Sequence, residues 1–288
     1  MSRPRKSGIA RITIAIAGAV TLVCAAGGAF VYSGVYDISA LDEHTAPVYW
    51  LMEGTMRRAV SVRADERAMP DLSQPETLAA GFRHYQTRCV QCHGAPGIAP
   101  EAFALGMTPV PGYLVPTART WRAAEIFWVV KNGIKMTGMP AWKYRMSDDE
   151  IVQVVAFVKH RLPGLSAQQY REAVKSLPPA APSSQPASSV ENLAGDSDAG
   201  RRAIQQYACA TCHVIPGVTG ATKEVGPPLR GMAGRAYIAG LLPNTPENMA
   251  YWIKSPQRVS PRTAMPDLGV REQDARDIAA YLATLKGE

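Results

Sequence analysis

Cys209-Ala210-Thr211-Cys212-His213 has an earlier counterpart in Cys89-Val90-Gln91-Cys92-His93, 120 residues before it. Cys-x-x-Cys-His is the covalent attachment pattern of c-type haem. Two cysteines three positions apart can each close a thioether onto one vinyl group of the porphyrin. The histidine that follows then lies beneath the ring and offers a nitrogen to the iron. The two copies use four of the chain's five cysteines. Two covalently bound haem c groups are therefore expected, one on Cys89, Cys92 and His93 and one on Cys209, Cys212 and His213. Other uses of such pairs fit less well. A zinc site wants four ligands grouped together, and each pair here has a single adjacent histidine. A thioredoxin-like redox pair wants a βαβ setting, which the sequence does not offer.

A six-coordinate iron needs a second axial group on the face opposite the histidine, and a methionine thioether favours the ferrous form. Met139-Pro140 follows His93 by 46 residues, and Met265-Pro266 follows His213 by 52. Both separations let the chain wrap the ring and return to its far side. Met136 is a local rival to Met139. Met139 is preferred because both halves then carry proline directly after the ligand. The proximal imidazole also needs its other nitrogen held, usually by a backbone carbonyl. Pro227, inside Val225-Gly226-Pro227-Pro228-Leu229, is well placed to supply it in the second half. The prolines after His93 offer no single choice in the first. Met107, Met146, Met232 and Met249 read as core filling, and His44, His84 and His160 as surface or helix-face residues.

Helical segments must position these groups. In the first half, Ser73-Gln74-Pro75-Glu76 reads as a capping box opening a helix that delivers Cys89. Trp121 to Val130 reads as a second helix, and Ser147-Asp148-Asp149-Glu150 caps a third over Ile151 to Arg161. A further short helix is expected around Ser166 to Lys175. The second half repeats the plan with helices over Gly200 to Ala208, from Thr245 to before Pro256, and over Glu272 to Leu285. No strand alternation competes, so the fold class expected is all-α.

The expected domains are a basic flank and anchor (1–36), a connecting segment (37–72), a first haem domain (73–176), a linker (177–195) and a second haem domain (196–288). Ile12 to Tyr36 is 25 residues without a charge, preceded by Arg3, Arg5, Lys6 and Arg11. That length crosses a bilayer as a helix, and the basic flank stays cytoplasmic. A cleaved signal peptide is the competing reading, although the apolar run exceeds an ordinary signal core. Export is implied either way, as haem attachment outside the cytoplasm requires. Val48 to Val60 forms one apolar stripe at helical spacing, suited to the membrane interface or to packing on the first domain. Pro178 to Ser189 is built from Pro, Ala, Ser and one Gln, a composition that cannot bury a core. It leaves the second domain free to travel.

The net charge is +7. From Glu76 to Lys175 there are 12 basic against 7 acidic residues, and from Asp196 to Glu288 11 against 9. No aromatic residues interleave with basic runs, so nucleic acid is not expected as a partner. Mildly basic domains beside a membrane suit docking onto an acidic protein partner.

The second half resembles class I cytochromes c through Cys209 to His213, Val225 to Leu229 with Gly231 and Gly234-Arg235, Ala264-Met265-Pro266 and the closing helix. The first resembles the same family through Cys89 to Gly94 and Asn132 to Pro140, but lacks the Gly-Pro-x-Leu element. Arg271 stands where such domains usually place a Ser or Thr cap. As a whole the chain resembles membrane-anchored dihaem cytochromes c of proteobacterial respiratory chains. The resemblance implies an electron carrier rather than an enzyme, anchored in the bacterial inner membrane by one helix, with its haem domains in the periplasm. The partner it implies is a respiratory complex, either a terminal oxidase or a quinol-oxidising complex. A periplasmic dehydrogenase is the alternative partner. A dihaem peroxidase would need one iron able to open a coordination site, and a Met-Pro pair in each half argues against that.

Overall fold

The computed structural model describes residues 5–66, 69–177 and 194–287. Arg3 of the basic flank and the Pro178–Ser189 stretch lie outside the described residues. Helix α1 (Arg5–Ser33) contains a 26-residue candidate span, Gly8–Ser33, within which an 18-residue window reaches a mean hydropathy of 2.2. At 1.5 Å per residue this segment is about 39 Å long, enough to cross a hydrocarbon core of about 30 Å. Thr13 and Thr21 donate their hydroxyls to the carbonyls of Ile9 and Ala17 one turn back. The helix thus satisfies these polar atoms itself, as a lipid surrounding demands.

Helix α2 (Ala46–Ser61) starts with proline in its first turn, where the missing N–H costs nothing. Its two ends behave differently. Val60 is buried, the Arg57 guanidinium stacks over Trp121 at 5.0 Å, and Arg122 donates to the Ser61 carbonyl. This end packs on the first domain. Tyr49, Trp50 and Leu51 at the other end remain exposed. The apolar stripe therefore divides along its length.

In the first domain, α3 (Pro75–Arg88) crosses the helix α5 (Asp148–Ala156) at Gly81. A Cβ there would lie 1.9 Å from the Gln153 carbonyl oxygen, so only glycine permits the crossing. Phe157 packs between Phe82 and Tyr85 with centroids 5.4 and 5.2 Å away, and Tyr170 meets Phe82 edge-on. Helix α4 (Ala123–Asn132) packs against α5, and α6 (Ala167–Lys175) follows at the end of the domain. The expected box at Ser73 does not form. Gln74 is the N-cap of α3, and the Ser73 hydroxyl donates to Asp71 instead, because that nearer carboxylate also accepts its N–H. The box at Ser147 and Glu150 does form, with both reciprocal bonds present. The helix expected to run unbroken to Arg161 widens into a π turn over Phe157–Arg161. Lys159 in that turn donates to the carbonyls of Ala118 and Trp121.

The second domain repeats the crossing. Helices α7 (Ser197–Gln206) and α9 (Glu272–Leu282) meet at Gly200, where a Cβ would lie 1.9 Å from the Asp277 carbonyl oxygen. α7 begins three residues earlier than expected because Asp196 accepts the N–H groups of Asp198 and Ala199. Thr245 caps α8 (Pro246–Lys254) in the same way. A two-residue hairpin, Tyr237–Ile238 against Leu242–Pro243, supplies the strands found among the described residues.

The two domains touch. Tyr144, five residues beyond Met139, is 7% exposed and belongs to the apolar core of the second domain. Its ring meets Tyr207 edge-on at 5.9 Å, with the Arg271 guanidinium also 5.9 Å from its centroid. The Tyr207 hydroxyl donates to Asp274 at 2.7 Å and lies 3.1 Å from the Tyr144 carbonyl oxygen. Arg145 stacks over Tyr207 and donates to the Gln206 carbonyl at 2.8 Å. In place of the freely travelling second domain that the linker composition suggested, the structure has one seated against the first.

Candidate functional site

Both Cys-x-x-Cys-His segments wind into a single turn. In the first, the N–H groups of Cys92 and His93 return to the Cys89 carbonyl at 3.1 and 2.9 Å; in the second, those of Cys212 and His213 return to Cys209 at 3.2 and 3.1 Å. The turn puts both thiols and the imidazole on one side of the chain. Helix α3 delivers the first segment. Tyr85, fully buried on that helix, donates to the Gly94 carbonyl at 2.7 Å and pins the exit from the turn.

The ring orientation is set by backbone carbonyls. His213 Nδ1 donates to the Pro227 carbonyl at 2.8 Å, the partner expected from the sequence. Gly226 beside it has no room for a side chain, since a Cβ would fall 2.4 Å from His213 Cε1. His93 Nδ1 donates to the Gly112 carbonyl at 2.7 Å. Gly112 was hidden because no Gly-Pro pair precedes it. Its signal is positional: Val110-Pro111-Gly112-Tyr113-Leu114 shares its first and last residues with Val225 to Leu229, and the acceptor is the third residue in both. The element that seemed missing from the first domain is present with other residues in the middle.

A cavity of about 430 Å³ opens beside His93 and is walled by Cys89, Cys92, Met139, Trp142 and Val154, among others. Such a volume is ordinary for a small-molecule or cofactor site. Met56 of α2 also reaches it, as does Met107, whose sulfur packs where a Cβ on Gly138 would stand. Met107 is thus a wall residue rather than remote filler. Of the two rival methionines, Met139 is in the wall, whereas Met136 is 81% exposed.

A shared hydrogen bond shapes both methionine loops. Thr137 accepts the Met139 N–H at 3.1 Å, and Thr263 accepts the Met265 N–H at 3.2 Å. Gln257 adds a bond to the Met265 carbonyl at 2.7 Å. Threonine two places before each Met-Pro is a repeat that sequence reading passed over.

The electrostatics favour neutral groups. Burial pushes the Cys89 thiol up to about 12 and the Cys209 thiol up to about 11. Burial also depresses the His93 pKa, opposed by its bond to Gly112. A neutral imidazole that donates from Nδ1 keeps its Nε2 lone pair for a metal. The thiol pair, the imidazole, the thioether and the apolar cavity together fit a c-type haem in the first domain. The second domain presents the same set of side chains on the same backbone frame.

Residues 76–158 match the family model of cytochrome c oxidase, cbb3-type, subunit III, and residues 197–286 match that of cytochrome c. The chain carries two cytochrome c domains. These domains are electron carriers that bind haem c covalently, and with the apolar N-terminal helix they fit a membrane-anchored dihaem cytochrome c. Over 88 residues the chain is 34% identical to cytochrome c oxidase subunit 2 of Alkalihalophilus pseudofirmus, covering 30% of this chain and 25% of that protein. The chain thus spans about a quarter of the length of the curated relative it matches. No solved structure matches the chain.

Proposed function

We propose that the protein is a two-haem electron carrier held at the periplasmic face of the bacterial inner membrane, passing electrons to a terminal oxidase. The observation that carries this reading is the duplicated frame. Each cytochrome c domain fixes an imidazole through Nδ1 to the third residue of a Val-x-x-x-Leu segment and presents a Thr-x-Met-Pro loop. Haem c supplies reversible one-electron chemistry when bound. The chain's task is to hold its axial groups and keep water off the ring. In this reading His93 and Met139 would hold one haem iron, His213 and Met265 the other, and the four cysteines would attach the rings. A thioether ligand raises the reduction potential, which suits delivery to an oxidase. The match of the first domain to an oxidase subunit family, and the oxidase subunit relative, favour that partner.

The test is mild detergent extraction followed by haem quantitation per chain and identification of what co-purifies. Two covalent haems per chain, and a co-purifying oxidase that oxidises them, are expected. One haem, or a bound dehydrogenase that reduces the protein with no oxidase able to oxidise it, would overturn the reading.

A further inference from the structure

We propose that Tyr144 and the Tyr207–Arg271–Asp274 cluster form a permanent dock that holds the two cytochrome c domains as one body. The electron-transfer part of this inference rests on the two-haem reading above.

The dock has the composition of a built interface. Tyr144 and Tyr207 are 7% and 3% exposed, and Ala141 beside them is 8% exposed. Aromatic residues and arginine, backed by a satisfied carboxylate, are the anchors of tight protein contacts. The charges are balanced within it. Asp274 is 6% exposed, receives the Tyr207 hydroxyl at 2.7 Å and receives Arg271 Nε at 2.8 Å. Burial, reinforced by that carboxylate, pushes Tyr207 up to about 12, so its hydroxyl remains a donor. Arg145 closes the rim by donating to the Gln206 carbonyl while covering the Tyr207 ring.

The dock also joins specific pieces of the two sites. Tyr144 continues the loop that presents Met139. Tyr207 stands two residues before Cys209, whose thiol lies 3.8 Å from the Tyr207 carbonyl oxygen. The methionine side of the first domain is thereby held against the cysteine side of the second. One electron then passes across this contact, the donating domain being oxidised as the receiving domain is reduced, with no bond made or broken and no proton moved. A transfer set by a fixed contact does not wait on diffusion of either domain.

The experiment uses the full haem-loaded chain in detergent. Hydroxyl-radical labelling compares Tyr144 with Tyr237, which is 60% exposed. Pulsed reduction followed at two solvent viscosities reads electron transfer between the domains. The variants are Tyr207→Ala, which removes the seat, and Arg145→Glu, which changes an exposed side chain at the rim, takes the guanidinium off the Tyr207 ring and sets a carboxylate against the Gln206 carbonyl. In the parent protein Tyr144 should be protected and transfer should not depend on viscosity. Either variant should raise Tyr144 labelling to the level of Tyr237 and make transfer slower and viscosity-dependent. Equal labelling of Tyr144 and Tyr237 in the parent would overturn the dock, as would variants that change neither readout. Fewer than two haems per chain would instead overturn the functional reading, while the labelling still reports on the dock.

Discussion

Thr137 accepts the backbone N–H of Met139 at 3.1 Å through its hydroxyl. The same oxygen donates to the Ile134 carbonyl at 2.8 Å, so it bridges the two sides of the loop. The second domain reproduces the bond to methionine between Thr263 and Met265. Thr137→Val and Thr263→Val keep the shape and delete the bond, at a cost of about 1 kcal/mol in loop stability. Each variant should let an external ligand such as imidazole displace the methionine about fivefold more readily in its own domain only. An optical titration of each haem checks this.

Met139→Ala should remove the thioether from the first-domain cavity and convert that haem to a high-spin spectrum. Met136→Ala should leave the spectrum unchanged, because Met136 is 81% exposed. Its backbone is also left-handed, with φ of 60°, so the alanine gives no relief of strain and no large loss. Absorption spectra of the reduced and oxidised variants separate the two.

Gly226→Ala introduces a methyl group 2.4 Å from the His213 ring. Overpacking of this kind costs about 1–3 kcal/mol, and here it turns the imidazole off its Pro227 acceptor. The second domain should melt earlier and retain less haem, with the first domain unaffected. Calorimetry with haem quantitation provides the reading.

His84 gives the first domain an acid limit. Burial lowers its pKa, aided by Arg88 and Arg83 and opposed by Glu150 and the Gln153 bond. The folded domain therefore binds fewer protons than the unfolded chain, whose histidine titrates near pH 6.5. The stability this group contributes is complete above about pH 6.5 and is lost as pH falls through the depressed folded value. His84→Gln should flatten the fall of the urea midpoint between about pH 7.5 and pH 5. An unchanged slope would assign the acid sensitivity elsewhere.

Much of the frame was legible because haem attachment leaves a literal motif and because caps such as Ser147-x-x-Glu150 and Thr245 are local chemistry. Pro227 was legible for the same reason, since its flanking residues repeat a known pattern. Gly112 was not, because what it contributes is a carbonyl that any residue carries. Gly81 and Gly200 were equally silent: a glycine that permits two helices to cross is defined by residues 72 and 77 positions away. The dock was hidden for a further reason. Tyr144 belongs to no motif in the sequence, and the linker composition argues for separation. Nothing local records that its ring is completed by Tyr207, Arg271 and Asp274 from the other half.

Tyr144 and Tyr207 lie 63 residues apart on one chain, so their contact is a ring closure and not an encounter. Tethered partners meet at an effective concentration of about 1 mM, so even a contact whose free halves would dissociate at about 0.01 mM stays closed about 99% of the time. The same surfaces on two separate molecules, at micromolar abundance, would scarcely associate. Cutting the chain between the domains would therefore dissolve the pair while leaving every side chain of the interface intact.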